Sequence, residues 1–202
     1  MSPLVVAYTL WLGFLVTWWL AAFWAGQPAV KAPAGQRLVY WAVFAISFGL
    51  LLTPPAGAFR APIAFTAVTP LGWKTPLWRW SGPMAWALVP VELAGFAFSW
   101  WARLHLGRLW SGMMTLMEGH RVVDTGPYRL ARHPIYTGFI VSAWATALIA
   151  AAPVALAGAA ALTALLAFKA KDEERFLRRE LGADAYDAYA ARTPMLVPFL
   201  RL

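Results

Sequence analysis

The chain has no cysteine among its 202 residues. That absence excludes disulfides, thiol nucleophiles and zinc–thiolate centres. Histidine is scarce as well. The three histidines are dispersed at positions 105, 120 and 133, a poor basis for an imidazole metal site, so no metal is expected. Charge is the largest deficit. Only 13% of the residues are charged, about half the share of an ordinary soluble domain. Hydrophobic residues make up 61%. An all-α, polytopic integral membrane protein follows, taken as one domain over residues 1–202. The net charge of +8 does not call for nucleic acid as a partner, because membrane chains gather Lys and Arg on their cytoplasmic side. Thirteen Arg against four Lys, with abundant Ala and Gly, fits a GC-rich bacterial genome and an inner-membrane location.

A membrane-spanning helix needs about 20 apolar residues. Leu4–Ala25, Leu38–Pro54 and Pro83–Ala102 each suffice, which gives three N-terminal spans within residues 1–102. The first stretch is too long for the apolar region of a signal peptide. Ile135–Phe168 is apolar for 34 residues, about 51 Å of helix against a core of about 30 Å. Pro153 near its middle predicts two spans, Ile135–Ala151 and Val154–Ala170, joined by a tight hairpin. One long kinked helix is the competing arrangement. Five spans put Gly26–Arg37, Arg103–Arg132 and the tail from Lys169 onward on one side, with 14 of the 17 Lys and Arg residues. Such a split marks that side as cytoplasmic and the N-terminus as outside. Four spans would separate the third loop from the tail. Trp73, Trp78 and Trp80 are expected as anchors at the outer interface.

Residues 103–202 hold the chemistry. GPYRLARHPIYTG, Gly126–Gly138, places arginines, a histidine and tyrosines at the mouth of the fourth span. Taken singly, these residues suit headgroup contact and helix initiation by Pro134. Taken together they face an acidic couple. Under the hairpin arrangement, Glu173 and Glu174 come close to Arg132, His133 and Tyr136. The start of the fourth span also offers backbone N–H groups to a carboxylate. Carboxylates, cations and aromatic rings suit a zwitterionic ligand with an extra positive charge, of which S-adenosyl-L-methionine is one, its sulfonium facing aromatic rings. Beyond the fifth span, charges recur from Lys171 to Glu180 beside an apolar stripe, the pattern of an amphipathic helix ended by Gly182. A short second helix through Tyr186 and Tyr189 stops at Pro194.

GHRVVDTGPYRLARHPIYTG, followed by DEERF and then LGADAYDAYAARTPMLVPF, resembles the isoprenylcysteine carboxyl methyltransferase family and its bacterial relatives. The resemblance covers the chain from about Arg103 to its end. It implies a membrane methyltransferase that uses cytosolic S-adenosyl-L-methionine on a small lipophilic acceptor reached from the bilayer. On the matching positions it implies cofactor contacts by His120, Arg121, Val122, Val123, Tyr128, Arg132, His133, Pro134, Ile135 and Tyr136, and by Glu173 or Glu174. The family's prenylprotein enzymes place an arginine about four residues before that glutamate, facing the substrate carboxylate. Here Lys169 or Ala170 stands there, and Lys is a point charge without a bidentate fork. This departure counts against a prenylcysteine carboxylate; a thiol or a phospholipid amine is open as the acceptor group, and a carboxylate or thiolate needs no strong base.

Glu92, near the middle of the third span, is either part of the acceptor pocket or a hydrogen-bonded structural acid. Arg103 and Arg108 either close over the cofactor or touch lipid. His105 is expected to be a loop or headgroup residue. A sterol-type reductase using NADPH is the alternative enzyme class, and a non-enzymatic membrane partner or sensor is the third. The sequence leaves the acceptor's identity and the oligomeric state open.

Overall fold

The computed structural model describes residues 1–21, 23, 28–31, 34–58, 72–80, 83–110, 115–117 and 122–198. Helices dominate them: α1 (Pro3–Ala21), α2 (Ala34–Leu51), α3 (Met84–Leu106), α4 (Pro134–Ala150), α5 (Pro153–Leu181) and α6 (Ala183–Arg192). One short ladder accompanies the helices of this all-α fold. Strands β1 (Pro28–Lys31) and β2 (Thr115–Met117) pair antiparallel, with Val30 opposite Leu116. This ladder ties the α1–α2 connection to the α3–α4 connection.

Helices α1, α3 and α5 are long and apolar enough to cross a membrane, while α2 and α4 are shorter apolar helices. Helix α1 ends at Ala21 and α2 starts at Ala34, each about one turn earlier than the sequence predicts. The fourth and fifth helices form the expected hairpin. Ala151 takes the left-handed conformation at φ 55°, its N–H still bonded to Ala147, and Ala152 is extended. Pro153 then opens α5, where a missing N–H costs nothing. The fifth span and the amphipathic helix turn out to be one rod of 29 residues, about 43 Å long. It overruns a core of about 30 Å and carries Asp172, Glu173 and Glu174 beyond the apolar layer. Gly182, at φ 93°, ends it.

Lipid tails are as apolar as the side chains, so helices in a bilayer associate through close packing. Helices α3 and α4 meet through two Gly-xxx-Ser pairs, Gly95/Ser99 and Gly138/Ser142. A Cβ on Gly138 would lie 2.3 Å from the Gly95 carbonyl oxygen, and one on Gly95 would lie 2.7 Å from that of Gly138. The serines donate to backbone across the contact, Ser99 Oγ to the Ile135 carbonyl at 3.1 Å and Ser142 Oγ to that of Glu92 at 2.9 Å. Gly158 lets α5 approach α2 at Leu51 in the same way. Around these seams Trp11, Phe14, Phe96 and Phe139 form an aromatic core, Phe14 stacked on Phe96 at 4.4 Å.

The two ends of the bundle differ. At one end, Trp73 and Leu77 hydrogen-bond the hairpin through Val154 N–H and the Ala151 carbonyl, and Trp80 Nε1 donates to the Leu148 carbonyl at 2.8 Å. At the other end, β1 meets β2, Arg132 meets Glu174, and Asp124 pairs with Arg192. The described parts of the segments that carry most of the Lys and Arg residues thus share one end of the bundle.

Candidate functional site

The site begins with the turn before α4. Pro127 and Tyr128 are buried in a short 3-10 turn, Gly126–Arg129, and Pro134 occupies the first turn of α4. The backbone N–H groups of Arg132 and His133 donate to the carbonyls of Pro194 and Met195, and the Thr137 hydroxyl donates to that of Leu196. A strap of the chain's own tail thus takes the N–H of His133, the cap of α4, and that of Arg132 just before it. Burial of Tyr186 and Tyr189 seats α6 below it, and Tyr189 donates its hydroxyl to the Tyr128 carbonyl at 2.7 Å.

The side chains converge as the hairpin predicts. Arg132 grips Glu174 with two N–H groups, at 2.7 and 3.1 Å, and donates through Nη1 to the carbonyls of Ala190 and Thr193. Its fork is therefore committed to holding the tail on α5. His133 lies between the two glutamates, Nε2 at 3.2 Å from Glu174 and Nδ1 at 3.5 Å from Glu173. Its ring stacks on Tyr136 at 5.3 Å, nearly parallel. Tyr136 donates its hydroxyl to Glu173 at 2.6 Å and accepts from Lys169 at 2.5 Å, while Lys169 also pairs with Glu173 at 2.8 Å. Asp172, one residue earlier, accepts from Tyr40 and Gln36, so α2 braces α5 beside the cluster.

The electrostatics follow from those contacts. Burial opposes ionisation of Glu173, but the Lys169 charge and the His133 hydrogen bond prevail and hold its carboxyl at about 2. Burial also works against Glu174, and hydrogen bonds from His133 and Arg132 keep it below the usual carboxylate range. Burial alone would lower the His133 pKa. Its bonds to Glu173 and Glu174 outweigh that and raise it above the ordinary value. The cluster therefore combines two carboxylates with cations and a pair of stacked rings, at one rim of an apolar bundle.

Of the other predicted contacts, Val122 is half-buried, Val123 packs against the apolar core, and Pro134 and Ile135 are buried at the foot of α4. His120 and Arg121 lie outside the described residues. Tyr128 is buried, its ring stacked on His105. Glu92 stands apart from the cluster. It is fully buried mid-bundle, where the Thr146 hydroxyl donates to Oε1 at 3.1 Å and Trp11 Nε1 donates to Thr146 at 2.8 Å. Its Oε2 has no hydrogen-bond partner. Among the described residues, no group of His, Cys, Asp and Glu is placed to hold a metal ion. The tail strap and the Tyr40–Asp172 brace escaped the sequence reading, because neither carries a local pattern.

Apolar helices packed through small residues, with the charge pairs among the described residues gathered at one end, define an integral membrane protein. Residues 88–179 match the model of the isoprenylcysteine carboxyl methyltransferase (ICMT) family. The similarity to that family lies in this stretch, just under half of the chain. It is 33% identical over 138 residues to methanethiol S-methyltransferase 2 of Bradyrhizobium diazoefficiens, covering 62% of this chain and 51% of that protein. It is 34% identical over 84 residues to protein-S-isoprenylcysteine O-methyltransferase B of Arabidopsis thaliana, covering 41% of this chain and 42% of that one. A third relative is the nickel-cobalt-cadmium resistance protein NccN of Alcaligenes xylosoxydans, 33% identical over 122 residues, 57% of this chain and 52% of the relative. The chain spans about half the length of these relatives, or less.

Proposed function

We propose that this protein is an S-adenosyl-L-methionine-dependent methyltransferase acting on a small lipophilic thiol or carboxylate that enters from the bilayer. The observation that carries this reading is the convergence of His133, Tyr136, Glu173 and Glu174 at the mouth of the α4–α5 hairpin. These residues fit the cofactor. Glu173, anionic and half shielded, suits its ammonium group, and the face of Tyr136 suits a sulfonium. When bound, S-adenosyl-L-methionine supplies a methyl group bonded to a positively charged sulfur. The protein's part is to hold acceptor and methyl in line and to keep water out. Neither a thiolate nor a carboxylate needs a general base here. Arg132 acts as a positioning residue, fixing Glu174 and the tail strap. His120, Arg121, Val122, Val123 and Tyr128 would complete the cofactor wall, with Pro134 and Ile135 lining its base.

The thiol is the favoured acceptor. Lys169 or Ala170 stands where prenylprotein enzymes have an arginine, and the Lys169 ammonium is engaged by Glu173 and Tyr136. That leaves little free positive charge for an acceptor carboxylate. The name methanethiol S-methyltransferase, carried by one relative, points the same way. Glu92 is assigned to shape the acceptor pocket from within the bundle. The chain acts as a single domain of five spans in a bacterial inner membrane, with the N-terminus outside and the cluster facing the cytoplasm. A sterol-type NADPH reductase suits the site less well, since a 2′-phosphate favours arginines and the fork of Arg132 is already committed.

The test is methyl transfer by purified protein in detergent or nanodiscs, using methyl-radiolabelled S-adenosyl-L-methionine. Short and long alkanethiols are compared with S-prenylated cysteine carboxylates. Label transferred to the thiols, and lost in Glu173→Ala, supports the reading. NADPH-dependent reduction of a sterol, with no labelled product from any acceptor, would replace it.

A further inference from the structure

Arg103 lies on the last turns of α3, and none of its partners belongs to the polar cluster. It is only 6% exposed. Its Nη2 donates to the carbonyl of Ala21, the last residue of α1. The guanidinium rests on Trp110, its Cζ 3.4 Å from the ring centroid, and Trp18 stands at 4.9 Å. No ion pair among the described residues includes it. Its Nη1 is buried and has no hydrogen-bond acceptor.

Capping α1 accounts for Nη2 alone, and a neutral amide donor could do the same. The indole faces stabilise the cation, but they accept nothing in the guanidinium plane. A buried charged donor left without an acceptor is costly. Around the cage, Trp19, Leu20, Phe23, Trp101 and Leu104 are all exposed. A tryptophan-rich apolar rim at the end of a span marks the depth of lipid headgroups. The planar guanidinium fork matches phosphate geometry.

We propose that the ends of α1 and α3 form a phospholipid site, in which Arg103 Nη1 binds a phosphate oxygen of the headgroup and the exposed apolar rim carries the acyl chains. Free phosphate offers the same oxyanion, so the test separates the two sources. Delipidated full-length protein in neutral detergent is examined by native mass spectrometry with dioleoyl phosphatidylglycerol, or with dioleoylglycerol, which lacks the phosphate. The wild type is expected to retain the phosphatidylglycerol about tenfold more tightly, and Arg103→Gln to lose that preference. Arg103→Lys, which keeps the charge without the fork, should fall between them. Equal retention of the two lipids by the wild type overturns the proposal, whether or not the variants fold. Inorganic phosphate that raises the wild-type thermal midpoint as much as the phospholipid does would overturn the lipid assignment in favour of a free anion.

Discussion

Substituting Gly138 with alanine tests the packing that positions the site. The added Cβ would lie 2.2 Å from Ser99 Oγ, 2.3 Å from the Gly95 carbonyl oxygen and 2.9 Å from the Ser99 backbone nitrogen. The serine hydroxyl can rotate away, but the backbone atoms of α3 cannot. Ordinary contact begins at 3.4 Å, so α4 must shift by about 1 Å, the kind of overpacking that costs about 1–3 kcal/mol. His133 sits at the start of α4 and Tyr136 in its first turn, so the same displacement loosens their geometry against Glu173 and Glu174. Gly13→Ala is the matched control. Gly13 lies within α1, and a Cβ there would meet nothing within 4 Å. In that setting alanine is neutral or stabilises by a few tenths to about 1 kcal/mol. Thermal unfolding in one detergent is the assay, paired with binding of S-adenosylhomocysteine. Gly138→Ala should lower both the midpoint and the affinity, and Gly13→Ala neither. A Gly138→Ala protein as stable as the wild type would refute the close α3–α4 seam.

Arg132→Lys keeps the charge but cannot reproduce the fork on Glu174 together with the bonds to Ala190 and Thr193. The expected loss is about 1.5–3 kcal/mol, read as faster proteolytic release of the tail. Tyr189→Phe removes the bond to the Tyr128 carbonyl and should cost about 0.5–1.5 kcal/mol in denaturant unfolding. Stability should also depend on pH in two windows. The Glu173 carboxyl is lowered from 4.5 to about 2, so its contribution is complete above 4.5 and is lost as pH falls toward 2. The His133 pKa is raised above 6.5, so its contribution is complete below 6.5 and is lost as pH rises through the raised value. His133→Gln should remove the alkaline arm and also shrink the acid arm, because His133 helps to lower the Glu173 and Glu174 carboxyls.

The hairpin was legible because length and charge agree. An apolar run too long for one crossing, with Pro153 inside it, needs a turn, and a turn there brings the cationic segments to one end of the bundle. The meeting of Arg132, His133 and Tyr136 with Glu173 and Glu174 followed from that turn. The β1–β2 ladder and the strap at 194–196 were not legible, because backbone pairing leaves little imprint on side-chain identity. The Gly-xxx-Ser seam was hidden by a composition in which small residues are common throughout. Arg103 carried two candidate roles in the sequence. Its cage depends on Trp18, more than 80 residues away, and the structure places it there, apart from the cluster.

Calorimetric titration of S-adenosylhomocysteine into the detergent-purified protein tests the central claim most directly. One equivalent should bind to the wild type, with affinity lost in Glu173→Ala and in His133→Ala while both variants keep their helical content. Undiminished binding by both variants, or a wild type that binds NADPH and not S-adenosylhomocysteine, would contradict a cofactor site at the mouth of the α4–α5 hairpin.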